Sequence, residues 1–254
     1  MQFAKYPSLA GRVVFVTGGA SGIGADIVRA FAGQDAKVGF VDIQDEVAQK
    51  LIDDLAGSTH KPAFLHCDIT DIAALQAAIA KLAETLGPIS VLVNNAANDQ
   101  RHKIDDVTVE YWDWSTNINL RHQFFAAQAV RPYMKQVGGG SIINFSSIAW
   151  KGGADGMAVY GTAKSAVHGL TRALGRGFGV DKIRVNSIEP GAVMTEKQLQ
   201  MWYPDPKQVE AIVSRQPLQE VLLGDEIART VLFLASDDSR MITKQSITVD
   251  AGLT

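Results

Sequence analysis

Tyr160 and Lys164 are the first residues whose types and spacing suggest chemistry. They lie four positions apart, a spacing that places two side chains on one face of a helix. A neighbouring ammonium favours the phenolate form of a tyrosine and lowers its pKa from about 10 toward neutrality. Tyr160 would then serve as a general base for the proton of an alcohol. Taken alone, this pattern more often describes an exposed tyrosine beside an exposed lysine.

Ser147 offers a hydroxyl at a related position. It ends the apolar run Ile142-Ile143-Asn144-Phe145-Ser146-Ser147, and Tyr160 follows 13 residues later. Ligands of an open parallel sheet bind outside the carboxyl ends of its strands. We therefore expect Ser147 to lie near the start of the Tyr160 helix, where its hydroxyl would bind a substrate oxygen.

Gly18, Gly22 and Gly24 form a glycine-rich turn between an apolar strand and a helical segment. Glycines at such a turn let backbone N–H groups approach a pyrophosphate at the N-terminus of a helix. The spacing, G-x-x-x-G-x-G, is one residue longer than the common dinucleotide fingerprint. Glycines also make tight turns for packing alone, but the position directly after the first strand favours dinucleotide binding.

Asp42 ends the second strand, 18 residues after Gly24. A carboxylate at this position can accept hydrogen bonds from the ribose hydroxyls of an adenosine and would repel a 2′-phosphate. Ser21 and Ile43 are not basic, so neither would bind that phosphate. The sequence therefore favours NAD over NADP, although a solvated aspartate at a strand end would look the same.

Asp68 and Ile69 follow the third strand, where an adenine lies in a fold of this kind. Asp68 could accept from the exocyclic amine while Ile69 packs on the ring. Asp68 could equally form an Asx turn that leads into the next helix. The residues by themselves do not decide between these two readings.

These candidates must be positioned by a regular alternation of strands and helices. Apolar runs at 13–16, 37–42, 63–68, 89–93, 141–145, 183–188 and 246–249 predict seven strands, and the helical segments are 25–32, 45–56, 71–86, 109–136, 158–178 and 224–235. Such alternation predicts a parallel sheet, and continuous apolar strands predict that both of its faces are covered. We expect one doubly wound α/β domain over residues 1–254. Residues 193–222 break the rhythm, which suggests a substrate lid.

Composition excludes several classes of protein. The chain has 254 residues, 46% apolar and 20% charged, with a net charge of −3, so we expect no nucleic-acid partner. Cys67 is the only cysteine, and the five histidines lack metal-binding spacing, so we expect no metal. The N-terminal segment is unlike a signal peptide, and no apolar run is long enough to span a membrane. These features predict a cytoplasmic protein without a membrane partner.

Six motifs occur in the order found in the short-chain dehydrogenase/reductase family, which the sequence resembles over essentially its whole length. They are Thr17-Gly18-x-x-x-Gly22-Ile23-Gly24, Asn94-Asn95-Ala96, Asn119, Ser147, Tyr160-x-x-x-Lys164 and Pro190-Gly191. The resemblance implies a Rossmann-type, seven-stranded sheet and a catalytic tetrad of Asn119, Ser147, Tyr160 and Lys164. Tyr160 would be the acid/base, and Lys164 would lower its pKa and hold the nicotinamide ribose. Ser147 would position the substrate oxygen, and Asn119 would hold a water in a proton relay.

The resemblance also implies a full set of NAD-binding residues and, by analogy, a homotetramer paired through the Asn119 and Tyr160 helices. The residues expected at the cofactor are Gly18, Ser21, Gly22, Ile23, Gly24, Asp42, Ile43, Asp68, Ile69, Asn94, Asn95, Ala96, Tyr160, Lys164, Pro190, Gly191, Val193 and Thr195. Two departures stand out: the family's N-N-A-G ends in Ala97 here, and its T-G-Q reads Thr243-Lys244-Gln245. The first puts the backbone near the cofactor in doubt, and the second at most a subunit contact.

The segments Asn98 to Lys103, Asn119 to His122 and Trp202-Tyr203 look like those of bacterial aldose 1-dehydrogenases within the family. Such enzymes oxidise C1 of a sugar, and polar groups at this edge suit a substrate rich in hydroxyls. The expected substrate residues are Asn98, Ser147, Asp155, Tyr160 and Trp202, and Trp150 could also stack on a sugar. The predicted reaction is NAD-dependent oxidation of an aldose to an aldonolactone. The alternatives are a polyol, steroid or 3-oxoacyl substrate, or a non-catalytic dinucleotide sensor.

Overall fold

The predicted strands form one seven-stranded sheet in the computed structural model, which describes residues 4–153 and 155–254. All neighbouring strands are parallel, and their order is β3-β2-β1-β4-β5-β6-β7. Residues 1–3 and 154 lie outside the described residues. The first three belong to the N-terminal segment whose sequence is unlike a signal peptide. The strands are β1 Val13–Thr17, β2 Lys37–Asp42, β3 Ala63–His66, β4 Ile89–Asn94, β5 Gly140–Phe145, β6 Ile183–Pro190 and β7 Ser246–Val249.

Helices connect the strands and cover both faces of the sheet. They are α1 Gly22–Ala32, α2 Asp45–Asp54, α3 Ile72–Leu86, α4 Val109–Thr116, α5 His122–Gln136, α6 Ala149–Gly152, α7 Ala158–Phe178, α8 Glu196–Met201, α9 Pro206–Val213 and α10 Gly224–Ala235. The prediction of one continuous helix over 109–136 needs a correction. A π-helical turn, Asn117–Arg121, separates α4 from α5, and such turns occur frequently at functional sites.

Alternating residues of the strands supply two separate cores. Val14 and Val16 of β1 face α1 and α10 on one side of the sheet. Phe15, between them in sequence, faces α3, α5 and α7 on the other side. Burial of each such apolar side chain contributes roughly 1.5–3 kcal/mol. The predicted doubly wound α/β architecture is confirmed, because both faces of the parallel sheet are buried.

The segment 193–222 interrupts the alternation as predicted, but much of it is helical. The Thr195 side chain caps α8 by accepting a hydrogen bond from the Gln198 N–H at 3.3 Å. Asp205 caps α9 in a capping box with Gln208, and Pro206 occupies the first turn, where a proline is preorganised for a helix. The segment therefore contains two short, individually capped helices.

Within the described ranges, no helix is both long and apolar enough to cross a bilayer. Those same residues contain no cluster of three or more His, Cys, Asp or Glu side chains that could hold a metal ion.

Candidate active site

A cavity of about 1150 Å³ lies at the carboxyl edge of the sheet. Its walls come from the glycine turn, the ends of β2, β4, β5 and β6, the start of α7 and the segment 193–222. Most of the residues predicted for the site line this cavity: Gly18, Ser21, Gly22, Ile23, Gly24, Asp42, Ile43, Asp68, Ile69, Asn95, Ala96, Asn98, Ser147, Asp155, Tyr160, Lys164, Pro190, Gly191, Val193 and Thr195. Asn94, Asn119 and Trp202 do not.

The glycine turn is folded tightly enough to require two of its glycines. Gly18 has a φ of +65°, and a Cβ there would lie 2.8 Å from the Cα of Ala96. A Cβ on Gly24 would lie 1.8 Å from the Gly18 carbonyl oxygen. The turn therefore places the N-terminus of α1 against the cavity, with the positive end of the helix dipole toward it.

Asp42 is buried at the end of β2 and is held by four donors. Its Oδ2 accepts from the Ala20 N–H at 3.0 Å. Its Oδ1 accepts from the N–H groups of Ile43 and Gln44 at 2.8 and 3.1 Å and from Gln44 Nε2 at 3.2 Å. Gln44 Nε2 also donates to Ser21 Oγ at 3.1 Å. The carboxylate is fixed mainly by backbone, and the residues that border it carry no positive charge.

Asp68 forms an Asx turn, which is one of the two roles expected for it from the sequence. Its Oδ1 accepts from both the N–H and the hydroxyl of Thr70, each at 2.8 Å. Asp68 and the buried Ile69 nevertheless line the same cavity as Asp42. The turn uses Oδ1, and both residues remain on the cavity wall.

Asn94 and Asn95 have different positions although they are adjacent. Asn94 is fully buried, and its Nδ2 donates to Asn144 Oδ1 at 2.9 Å, which ties β4 to β5. Asn95 faces the cavity, and its Nδ2 donates to the Gly18 carbonyl at 2.8 Å. Asn95 therefore holds the glycine turn, whereas Asn94 lies behind the cavity wall.

Tyr160, Lys164 and Ser147 meet at one end of the cavity. Lys164 Nζ lies 5.6 Å from the centroid of the Tyr160 ring and donates to the Phe145 carbonyl at 2.8 Å. Ser147 Oγ accepts from the Ala149 N–H at 3.2 Å. The three residues come from the end of β5 and the first turns of α7, as the spacing predicted.

Burial dominates the pKa values of this group. It lowers the pKa of Lys164 to about 7, although the Asp99 carboxylate opposes that shift. Burial, and then the negative charge of Asp99, raise the pKa of Tyr160, whereas a hydrogen bond with Ser147 opposes them. The net effect on Tyr160 is thus opposite to the predicted lowering by Lys164, because desolvation of the phenolate outweighs other effects in the isolated chain.

Asn119 lies in the π-helical turn and is fully buried. Its Nδ2 donates to the carbonyls of Asn98 and Ser115, each at 2.9 Å, and its Oδ1 accepts from the Asn98 N–H at 3.0 Å. Its own carbonyl accepts from Gln123 Nε2 at 3.2 Å. The Asn119 side chain therefore anchors the loop that follows β4.

Asp99 and Arg101, from the polar segment Asn98 to Lys103, also line the cavity. Asp99 accepts from Lys197 Nζ at 3.1 Å and from Gln198 Nε2 at 2.6 Å, which joins the β4 loop to helix α8. The guanidinium of Arg101 lies 4.5 Å from the centroid of the Trp202 ring. The polar character of both segments was visible in the sequence, but their pairing was not.

The two tryptophans expected to stack on a substrate are engaged elsewhere. Arg101 covers one face of Trp202, whose buried Nε1 is among the unpaired polar atoms in the described residues. Trp150 donates to Glu189 Oε1 at 3.3 Å, and its ring lies 5.0 Å from that of His168. Neither tryptophan borders the cavity. Tyr203, next to Trp202, does.

Comparisons with known proteins agree with this geometry. A family model described as Enoyl-(Acyl carrier protein) reductase matches residues 18–254. D-xylose 1-dehydrogenase from Caulobacter vibrioides is 46% identical over 252 residues, which cover 99% of both chains. A probable galactose dehydrogenase from Rhizobium meliloti is 44% identical over 98% of both.

Solved structures extend the same likeness. A putative short-chain alcohol dehydrogenase from Sinorhizobium meliloti 1021 has a TM-score of 0.91 and 30% identity, over 97% of this chain and 98% of its own. A blue fluorescent protein from a metagenomic library, in complex with NADPH, has a TM-score of 0.89 and 34% identity, over 97% and 99%. With its parallel sheet, glycine turn and Tyr160–Lys164 pair, the chain belongs to the short-chain dehydrogenase/reductase family of oxidoreductases.

Proposed function

We propose that this protein oxidises C1 of an aldose to an aldonolactone, with NAD as the hydride acceptor. The observation that carries the proposal is the polar part of the cavity wall formed by Asp99, Lys197 and Gln198. The sugar dehydrogenase names of two relatives that match nearly the whole chain support it.

The chain's own residues fit a dinucleotide. The close-packed glycine turn presents the N-terminus of α1 to the cavity, which suits a pyrophosphate. The buried Asp42 carboxylate stands at the end of β2, where the adenosine ribose of such a cofactor lies. Ser21, Ile43 and Gln44 surround it without positive charge, which favours NAD. Since one solved neighbour holds NADPH, this preference rests on Asp42 and its surroundings alone.

The glycine turn, Asp42 and Lys164 would hold NAD, and the chemistry that NAD would supply is acceptance of a hydride, with its electron pair, from C1 of the sugar. Tyr160 removes the proton of the C1 hydroxyl as the carbon–oxygen double bond forms. Ser147 holds that oxygen. Lys164, in its protonated form, places a positive charge beside the phenolate, and it would bind the nicotinamide ribose. Asn119 contributes indirectly, because its side chain fixes the loop that follows β4. In a cyclic aldose the oxidised C1 is the carbonyl of a lactone, so no covalent intermediate is required.

Polar groups in the wall favour a sugar over the apolar alternatives. Asp99, Lys197 and Gln198 would each lose water against a steroid or an acyl chain without gaining a new partner, which is costly. Sugar hydroxyls supply both donors and acceptors to such groups. A polyol remains the nearest alternative in chemistry, and it differs in lacking a hemiacetal C1.

Formation of NADH from a substrate panel tests this proposal. The panel contains D-xylose, L-arabinose, D-galactose, D-glucose, L-fucose, polyols, hydroxysteroids and a 3-hydroxyacyl thioester, each with NAD and with NADP. We expect the highest kcat/KM with NAD and a free aldose, and a lactone as the first product by NMR. A best substrate outside the aldoses would overturn the substrate assignment. No turnover with any alcohol, together with tight NAD binding, would favour the dinucleotide-sensor alternative.

We also propose a cytoplasmic homotetramer, as the family resemblance implies. Val109, Trp112 and Phe124 on α4 and α5 are 72%, 44% and 41% exposed in the single chain. These exposed apolar side chains lie on or beside the helices expected to pair, and such an assembly would remove them from water. Light scattering on the purified protein would measure the assembly, and a monomeric mass at micromolar concentration would contradict it.

A further inference from the structure

Asp99 is the carboxylate whose charge reaches both catalytic candidates. Its negative charge opposes the lowered pKa of Lys164 and adds to the raised pKa of Tyr160. It lines the same cavity as both residues, and its side chain is only 18% exposed. A carboxylate in this position makes the phenolate of Tyr160 harder to form. Its presence therefore points to a contribution other than proton removal.

The two lid contacts leave much of the acceptor capacity of Asp99 unused. Lys197 Nζ binds Oδ1, and Gln198 Nε2 binds Oδ2. An ionised carboxylate has about four lone-pair sites, so each oxygen can accept a further hydrogen bond from the cavity side. Hydroxyl groups on neighbouring carbons of a sugar are donors with a spacing that suits two oxygens of one carboxylate.

The loop that carries Asp99 is held rigidly from both sides. The preceding residue, Asn98, exchanges two backbone hydrogen bonds with the Asn119 side chain, at 3.0 and 2.9 Å. Arg101, two residues after Asp99, stacks on Trp202 of the lid. The Asp99 carboxylate is thus fixed before any ligand arrives, which reduces the entropy cost of binding.

We propose that Asp99 is a specificity-determining residue that accepts hydrogen bonds from the C2 and C3 hydroxyls of the aldose, while Lys197 and Gln198 hold its carboxylate from the lid. This inference rests on the proposed function. The tetrad positions C1 and its oxygen, and Asp99 binds the hydroxyls on the neighbouring carbons.

The test compares the best aldose of the panel with its 2-deoxy and 3-deoxy counterparts. Since a site built to bind a hydroxyl strongly rejects an analogue that lacks it, we expect wild-type kcat/KM to fall about 10- to 100-fold for each deoxy sugar. Asp99→Asn should lower kcat/KM for the full aldose by a similar factor and barely change it for the deoxy sugars. The preference for the hydroxylated sugar would then nearly disappear.

Two further variants separate binding from lid closure. The double variant Lys197→Met/Gln198→Leu loosens the lid but keeps the carboxylate, so it should slow all the sugars alike and retain the preference. Asp106→Asn removes an equal charge from an exposed position of the same loop region and should change neither value. If Asp99→Asn does not fold, Asp99→Glu takes its place: it keeps the charge but displaces both carboxylate oxygens, and it should also weaken the preference for the hydroxylated sugar.

The possible failures are distinguishable. If the wild-type protein oxidises no free aldose, the proposed function fails. If it oxidises aldoses but treats the deoxy sugars equally, or if Asp99→Asn keeps the wild-type preference, the proposed function stands and the role assigned to Asp99 is overturned.

Discussion

Replacing Lys164 with methionine is expected to stabilise the cofactor-free protein at neutral pH. Lys164 is 1% exposed, and burial lowers its pKa from 10.5 to about 7. In the unfolded chain the lysine keeps its ordinary pKa, so between pH 7 and 10 the unfolded state binds more protons than the folded state. The contribution of Lys164 to stability therefore rises with pH across this window and is most unfavourable at its lower end.

The magnitude follows from two opposing effects. Each pH unit between the two pKa values is worth about 1.4 kcal/mol, so the charged lysine costs the folded state about 4 kcal/mol at pH 7. Methionine removes this cost but loses the charge-assisted hydrogen bond to the Phe145 carbonyl, worth roughly 1.5–3 kcal/mol. That carbonyl keeps a donor in Gln123 Nε2 at 3.3 Å. Desolvation wins, and we expect a net gain of about 1–3 kcal/mol at pH 7.

Urea unfolding of wild-type protein and Lys164→Met at pH 7, 8.5 and 10 measures this difference. The advantage of the variant should shrink to nearly zero by pH 10, where the folded protein holds a neutral lysine. Lys50→Met, at an exposed position of α2, should show no such pH dependence. A Lys164→Met protein that is less stable than wild type at pH 7, or whose advantage does not change with pH, would refute the reasoning.

Three further substitutions address the proposed roles directly. Tyr160→Phe should lower kcat by about 10²–10⁴-fold, the usual contribution of positioned proton transfer, while calorimetry shows unchanged NAD binding; activity above a tenth of wild type would exclude Tyr160 as the base. Asp42→Asn should raise the KM for NAD about 10- to 100-fold and change the KM for NADP less. Asp45→Asn, at an exposed position, is the control. A higher kcat/KM for NADP than for NAD in the wild-type protein would contradict the assignment of Asp42. Asn98→Ala should raise the sugar KM more than the NAD KM, and equal increases would indicate a general disturbance of the loop.

The fold was predictable because its signals are local. Each apolar run of four to six residues is bounded by turns, and each helical segment shows one apolar stripe, so periodicity locates the seven strands and the longer helices. The π-helical turn at Asn117–Arg121 has no such signal. It differs from the surrounding α-helix by one residue per turn, and the apolar pattern of 109–136 continues across it.

The site residues likewise divide into those that the sequence pattern locates and those that it does not. Parallel topology brings the ends of all strands to one edge, so Asp42, Ser147 and the start of α7 could be placed together from their positions in the chain. Trp202 could not be placed in this way. An aromatic residue in a polar segment does not reveal which side it presents, and the stacking of Arg101 on its ring is a contact between segments about 100 residues apart.

Asn119 connects the site residues that the sequence predicted to the loop contacts that it did not predict. The family resemblance implied that it holds a water, and its carbonyl and its side chain have separate partners in this structure. The side chain binds both backbone groups of Asn98 and so fixes the loop that presents Asp99. Lys197 and Gln198 reach that carboxylate from a helix 98 and 99 residues further along the chain. The reacting groups proposed here are thus positioned by strand ends, whereas the proposed sugar-binding wall is assembled by hydrogen bonds between the loop after β4 and helix α8, which no local pattern relates.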